Sequence, residues 1–198
     1  MAFKGDKVVM YTFAAKTVQG FLRIVGGKLT VHQKEAVPTD TPFIVVCTHK
    51  SWYDVVCLGI ALHPVPIHFM AKKELFRLSV INKLLTSLHV FPVDRENPGP
   101  SAVKIPLQLL KKQKVVGIFP SGTRSAEDDS LKQGAVRIAS RAGVPIVPAV
   151  YVGPHRFRDV LKRKRRTVIF GEPIPVSKDK SVEEWNEILS QTFRTLEK

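Results

Sequence analysis

The chain is poor in cysteine and lacks a long uninterrupted apolar run. Its 198 residues include two cysteines, Cys47 and Cys57, which form no C-x-x-C pair. Such usage argues against a disulfide framework or a cysteine-based metal site. Cys47 sits in an apolar stretch, so both read as buried free thiols of a reducing cytosol. Acidic residues are also scarce: 17 Asp and Glu stand against 31 Lys and Arg, leaving +14 and a pI near 10.0. That charge attracts polyanions, whether nucleic acid, an anionic membrane surface, or acidic small molecules and proteins. Signal-peptide cleavage patterns, internal repeats and linkers are missing. What is present is a hydrophobic content of 44%, which excludes general disorder and supports one domain with a sizeable core.

Residues 8–25 read VVMYTFAAKTVQGFLRIV. The segment is apolar but carries Lys16 and Arg23, which argue against a bilayer span. An apolar face with scattered bases suits a helix lying in the membrane interface; the alternative is an ordinary helix packed on the core. Gly26-Gly27 ends it. The expected division is therefore residues 1–27 as an amphipathic membrane-interface segment and 28–198 as the main domain.

Beyond residue 27, short apolar runs alternate with helical periodicities. Strands are expected over 28–33, 44–46, 67–70, 90–93, 115–119, 144–150 and 167–170. Helices are expected to about residue 62 after Asp54, and over about 72–88, 102–112, 131–142 and 181–196. Alternation of this kind specifies an α/β fold: a single domain with a mostly parallel central sheet covered by helices on both faces. Pro145 and Pro148 suggest that the strand over 144–150 lies near the sheet edge. The run 155–166 (HRFRDVLKRKRR) holds seven Lys and Arg and reads as solvated surface. His63 and His68 have no acidic or sulfur neighbour in sequence and read as structural.

The organising stretch is FIVVCTHKSWYD, residues 43–54. A buried strand, Ile44-Val45-Val46, gives way at Thr48-His49 to a helix start. Ser51 is placed to N-cap that helix, with Asp54 in capping-box spacing. His49 therefore occupies a strand-to-helix junction, where open α/β sheets put ligands and chemistry. His49 and Asp54 are five apart. With His49 in the turn and Asp54 in the first helical turn, the carboxylate can meet the imidazole, fix its tautomer and support the imidazolium. The other ring nitrogen is then open to a substrate hydroxyl. An isolated H-x4-D does not require this, since Asp54 would serve equally as a cap and His49 as packing.

Two further groups follow expected strand ends: Asp94-Arg95, and Ser121-Gly122-Thr123-Arg124. In a parallel sheet these ends share an edge with His49. Gly122 lets backbone approach a ligand, and Arg124 can clamp an anion in bidentate fashion. A base beside two arginines calls for a substrate carrying both a hydroxyl and a phosphate.

In these residues the chain resembles the 1-acylglycerol-3-phosphate acyltransferase family, the bacterial lysophosphatidic acid acyltransferases. Four family blocks occur in order across roughly residues 10–175. H-x4-D is His49 to Asp54. K-x-E-L leading to D-R is Lys72, Glu74, Leu75 and Asp94-Arg95. F-P-E-G-T-R-S corresponds to Phe119 to Ser125, with Ser121 where the family has Glu. The apolar V-P-I-V-P strand is Val144 to Pro148. The resemblance implies a general base, His49, oriented by Asp54. It implies acceptor phosphate contacts from Lys72, Arg95 and Arg124, with Ser121, Gly122 and Thr123 shaping the loop. The implied reaction moves an acyl group from a coenzyme A or acyl carrier protein thioester to the 2-hydroxyl of lysophosphatidate, making phosphatidate. The implied cofactor set is empty, with no metal. The expected location is peripheral or monotopic on the cytoplasmic face of the cell membrane, against anionic lipid. Alternatives are a different lysophospholipid acceptor or, from another class, a basic nucleic-acid-binding domain. The run 155–166 lacks the interleaved aromatics and motif that the last would need.

Overall fold

The computed structural model describes residues 20, 28–49, 51–94, 99–119, 129–154, 158–159 and 164–197. Among these residues seven strands form one sheet: β1 (Leu29–His32), β2 (Ile44–Cys47), β3 (Ile67–Lys72), β4 (Phe91–Val93), β5 (Val115–Ile118), β6 (Ile146–Val152) and β7 (Arg166–Phe170). Their spatial order is β1-β7-β6-β2-β5-β3-β4. Every pairing is parallel except β6 with β7. The expected mostly parallel sheet is thus present, and its central strands β2 and β5 are buried on both faces.

Among the described residues, five α-helices with defined bounds accompany the sheet: α1 (Trp52–Leu62), α2 (Ser79–Ser87), α3 (Ser101–Lys111), α4 (Asp129–Ala142) and α5 (Val182–Leu196). Two-residue alternation along β2 sorts the core. Val45 and Cys47 pack on one face with Tyr53, Cys57, Leu58, Ala61 and Leu62 of α1. Ile44 and Val46 pack on the other with Leu110 of α3, Val136 and Ala139 of α4, and Trp185, Leu189 and Phe193 of α5. Among the described residues, helices therefore cover both faces, one on the first and three on the second. No described helix is long and apolar enough to cross a membrane. The segment 1–27, apart from Gly20, lies outside the described residues.

Two expectations are corrected. β6 is not near an edge: it lies between β7 and β2 and is buried through Tyr151. The prolines fit because of which neighbours they face. Pro145 precedes the strand and its carbonyl accepts from Ile44 N–H. Pro148 faces the end of β7, where Gly171 N–H donates to the Pro148 carbonyl at 2.8 Å. A Cβ on Gly171 would come within 2.8 Å of the Pro148 ring, so the missing side chain makes the room. Second, the helix expected over 72–88 is two elements, a 3₁₀ turn at Lys73–Phe76 and α2. Of its apolar positions, Leu75, Leu78, Ile81 and Leu84 are exposed, and Leu85 and Leu88 are half-buried.

Candidate active site

Strands β2, β5, β3 and β4 lie side by side and parallel, so their carboxyl ends form one edge. His49 follows β2 on that edge, and Lys72 ends β3. Lys72 is in register with Val93, which places it beside Asp94. The Lys73 ammonium makes an ion pair with Asp94. Two parts of one block, with Lys73 and Asp94 lying 21 residues apart in sequence, are thus brought together by the β3–β4 ladder.

The junction after β2 is built by its own sequence. Ser51 N-caps α1: its hydroxyl accepts from Tyr53 N–H at 3.2 Å, and its backbone N–H donates to Asp54 Oδ2 at 2.9 Å. The same hydroxyl donates to Asp54 Oδ1 at 2.9 Å. Asp54 is 1% exposed, and these bonds to both oxygens make a buried carboxylate tolerable. His49 Nδ1 stands 3.6 Å from Asp54 Oδ2, longer than a hydrogen bond but within ion-pair range. The His49 side chain is 22% exposed, so it is the member of the pair that faces outward.

Phe119, the residue after β5, sets the other side of the imidazole. Its ring centroid lies 4.8 Å from that of His49, and it stacks on Phe69 of β3 at 5.7 Å. Gly117 permits this stack, because a Cβ there would meet the Phe69 ring at 2.5 Å. An apolar neighbour on one face and a carboxylate at Nδ1 leave Nε2 as the nitrogen for a substrate proton.

Beneath α1 lies a polar cluster that sequence reasoning missed. Arg166 is buried at 2% exposure, a correction to the solvated-surface reading of residues 155–166 at its last member. Its guanidinium donates to the Tyr53 hydroxyl at 2.6 Å and lies 5.9 Å from that ring's centroid. The signal was available: Arg166, Val168 and Phe170 alternate on one face of β7. Burial pushes the Tyr53 hydroxyl pKa up, as does nearby Cys57, while Arg166 opposes the rise. Burial also pushes Cys57 up to about 12, against the pull of Arg166, and raises Cys47 further, with Asp54 adding to it. Both cysteines are free, buried and held as thiols, so neither is a nucleophile. The capping box expected between Ser51 and Asp54 is present, whereas Phe119 was read from the sequence only as a block member and its contact with His49 emerges only in three dimensions.

Of the sequence-predicted site residues, the structure brings His49 and Asp54 together and sets Lys72 on the same sheet edge. Arg95, Ser121, Gly122, Thr123 and Arg124 lie outside the described residues. Among the described residues, no group of three His, Cys, Asp or Glu is assembled as a metal site.

A profile of the family described as "Acyltransferase" matches residues 28–152. The 1-acyl-sn-glycerol-3-phosphate acyltransferase of Bacillus subtilis (strain 168) is 48% identical over 165 residues, 83% of this chain and 82% of that one. The chain belongs to this acyltransferase family. The enzyme of the same name from Streptococcus pneumoniae is 37% identical over 176 residues, covering 88% of this chain and 66% of that one. The crystal structure of the 1-acyl-sn-glycerophosphate acyltransferase of Thermotoga maritima superposes with a TM-score of 0.69, at 24% identity, over 98% of this chain and 88% of that one. The last likeness speaks for the fold. For this acyltransferase, the H-x4-D block is therefore the His49–Asp54 pair seen at the β2–α1 junction.

Proposed function

We propose that the chain is a 1-acylglycerol-3-phosphate O-acyltransferase, transferring a fatty acyl group from a thioester to the 2-hydroxyl of lysophosphatidate and making phosphatidate. The observation that carries this is the His49–Asp54 pair on the carboxyl edge of a parallel sheet, in a chain 48% identical to a relative with that activity in its name. His49 Nε2 accepts the hydroxyl proton as the oxygen attacks the thioester carbonyl. The new C–O bond gives a tetrahedral oxyanion. Collapse breaks the C–S bond, and the imidazolium returns its proton to the departing thiolate. Asp54 stabilises the imidazolium between these transfers, so the base contributes about 10²- to 10⁴-fold. Positioning of the acceptor and donors to the oxyanion supply the rest.

Lys72, Arg95 and Arg124 take the acceptor phosphate, with Ser121, Gly122 and Thr123 forming the loop around it. What supports this is the place of Lys72 on the sheet edge that carries His49, the match of the other residues to the family blocks in sequence, and the preference of guanidinium groups for phosphate oxygens. The donor is an acyl-coenzyme A or an acyl carrier protein; an acidic carrier suits a +14 chain. Residues 1–27 hold the enzyme peripherally on the cytoplasmic leaflet, where both lipid substrate and product reside.

The test is phosphatidate formation by purified protein given lysophosphatidate with each donor type. Product with at least one donor is expected. A folded protein that releases no thiol and forms no phosphatidate with either would refute the assignment.

A further inference from the structure

The connection from β3 to β4 leaves an apolar surface that the fold does not use. Among the described residues six large hydrophobics are exposed, and five of them, Leu75, Leu78, Val80, Ile81 and Leu84, lie within ten consecutive positions. Val80 is 80% exposed, Leu78 64%, Leu84 56% and Leu75 52%. Helix α2 has no buried residue at all. At 100° per residue, Val80, Leu84 and Ile81 form one stripe of α2, with Lys83 flanking it. Leu75 and Leu78 extend the patch through the preceding turn. Arg77 and Lys83 are exposed among them, and Glu74 is the one acidic residue of the segment 73–88. The segment leaves the sheet from the carboxyl end of β3, the edge that carries His49 and Lys72.

A patch of large aliphatic side chains interleaved with bases is poorly suited to water and well suited to a bilayer surface rich in anionic lipid. We propose that residues 75–84 are a membrane-docking element, inserting Leu75, Leu78, Val80, Ile81 and Leu84 among the acyl chains while Arg77 and Lys83 meet anionic headgroups. This rests on the lipid-acyltransferase reading for the choice of occupant. It adds a second contact, adjacent to the site and distinct from residues 1–27. Docking here brings the carboxyl edge of the sheet against the leaflet, so that a lysolipid reaches His49 without crossing open water.

The full chain is mixed with vesicles of phosphatidylcholine alone and of phosphatidylcholine with phosphatidylglycerol. Leu78→Ser/Leu84→Ser should lower the partition coefficient on the mixed vesicles by about tenfold or more. Arg77→Gln/Lys83→Gln should weaken binding to the mixed vesicles while leaving the weaker binding to neutral ones unchanged. Val80→Trp, read against the parent's own tryptophans, should shift its emission to the blue on anionic vesicles and be quenched by lipids brominated on their acyl chains. Turnover of Leu78→Ser/Leu84→Ser on a short-chain, monomeric lysophosphatidate should match the parent.

Unchanged partitioning of Leu78→Ser/Leu84→Ser, or a Val80→Trp indole that vesicles neither shift nor quench, overturns the proposal. So does a parent that sediments as a dimer while Leu78→Ser/Leu84→Ser sediments as a monomer, because a second copy then covers the patch. A chain that acylates normally but shows no quenching fails on this inference alone. One that is quenched but acylates no acceptor fails on the function alone.

Discussion

Replacing Ser51 by alanine tests whether the capping box also serves the reaction. The Ser51 hydroxyl makes two bonds, accepting from Tyr53 N–H and donating to Asp54 Oδ1, and both are buried. Losing an N-cap costs about 0.5–2 kcal/mol, and losing a bond to a carboxylate costs about 1.5–3. One hydroxyl carries both, so the two ranges overlap and about 2–3 kcal/mol is expected, a fall in Tm of roughly 5–10 °C for a domain of this size. The effect on turnover comes through Asp54. With Oδ2 at 3.6 Å from His49 Nδ1, attraction to an imidazolium is about 4.6 kcal/mol at an effective dielectric of about 20. If the carboxylate, released at Oδ1 and still held at Oδ2 by the Ser51 backbone N–H, swings out to about 5 Å from the imidazole, that falls to about 3.3 kcal/mol, and the difference is about tenfold in rate. Ser51→Ala should therefore lower kcat about tenfold with KM for lysophosphatidate little changed. Ser51→Thr, which keeps the hydroxyl, should recover most of it. The measurements are thermal unfolding and steady-state kinetics on all three proteins. A destabilised Ser51→Ala with parental kcat would show that the box only builds the helix. A loss confined to KM would place Ser51 at the acceptor instead.

Four shorter predictions accompany it. His49→Ala should fold and lose at least about 10²-fold in turnover, and near-normal turnover in a folded variant would remove His49 as the base. Arg124→Ala should harm phosphorylated acceptors more than Ser121→Ala does, since a charged contact is worth about 1.5–3 kcal/mol and a neutral one about 0.5–1.5; kcat/KM with and without the acceptor's phosphomonoester decides it. Tyr53→Phe and Arg166→Ala should each destabilise, by about 1–2 and 2–4 kcal/mol, and the double variant by less than the sum; strict additivity in denaturant unfolding would mean that their 2.6 Å bond is energetically idle. His68 should make the fold acid-labile, because burial, with His89 adding to it, depresses its pKa to about 4 from 6.5. The unfolded chain then binds the proton more tightly, so stability is full above about pH 6.5 and falls by up to about 3 kcal/mol as pH drops to about 4. His68→Gln should flatten that part of the pH–stability curve.

The sequence by itself determined whatever is written in local order. The Ile44–Val46 run, the Ser51 cap and the H-x4-D spacing depend on neighbours along the chain, and β2, α1 and the approach of Asp54 to His49 follow from them. Short apolar runs mark strands wherever they lie, and their alternation with helical periodicities marks the parallel class, so the seven strands and that class were legible without knowing their order. Order was a different matter. That β6 sits inside the sheet despite Pro148 depends on Gly171, 23 residues away, offering a gap to the proline ring. That Arg166 is core depends on α1 laying Tyr53 over β7. That Phe119 borders His49 depends on β5 pairing beside β2 and on Gly117 admitting Phe69. The helical spacing of apolar residues 75–84 did not say whether that face is covered, because amphipathic periodicity records that a side is greasy and not what lies against it. Only the tertiary structure decided that Leu75, Leu78, Val80, Ile81 and Leu84 stay exposed. Burial is a property of neighbours in space, and those are fixed by long-range pairing that no local pattern encodes.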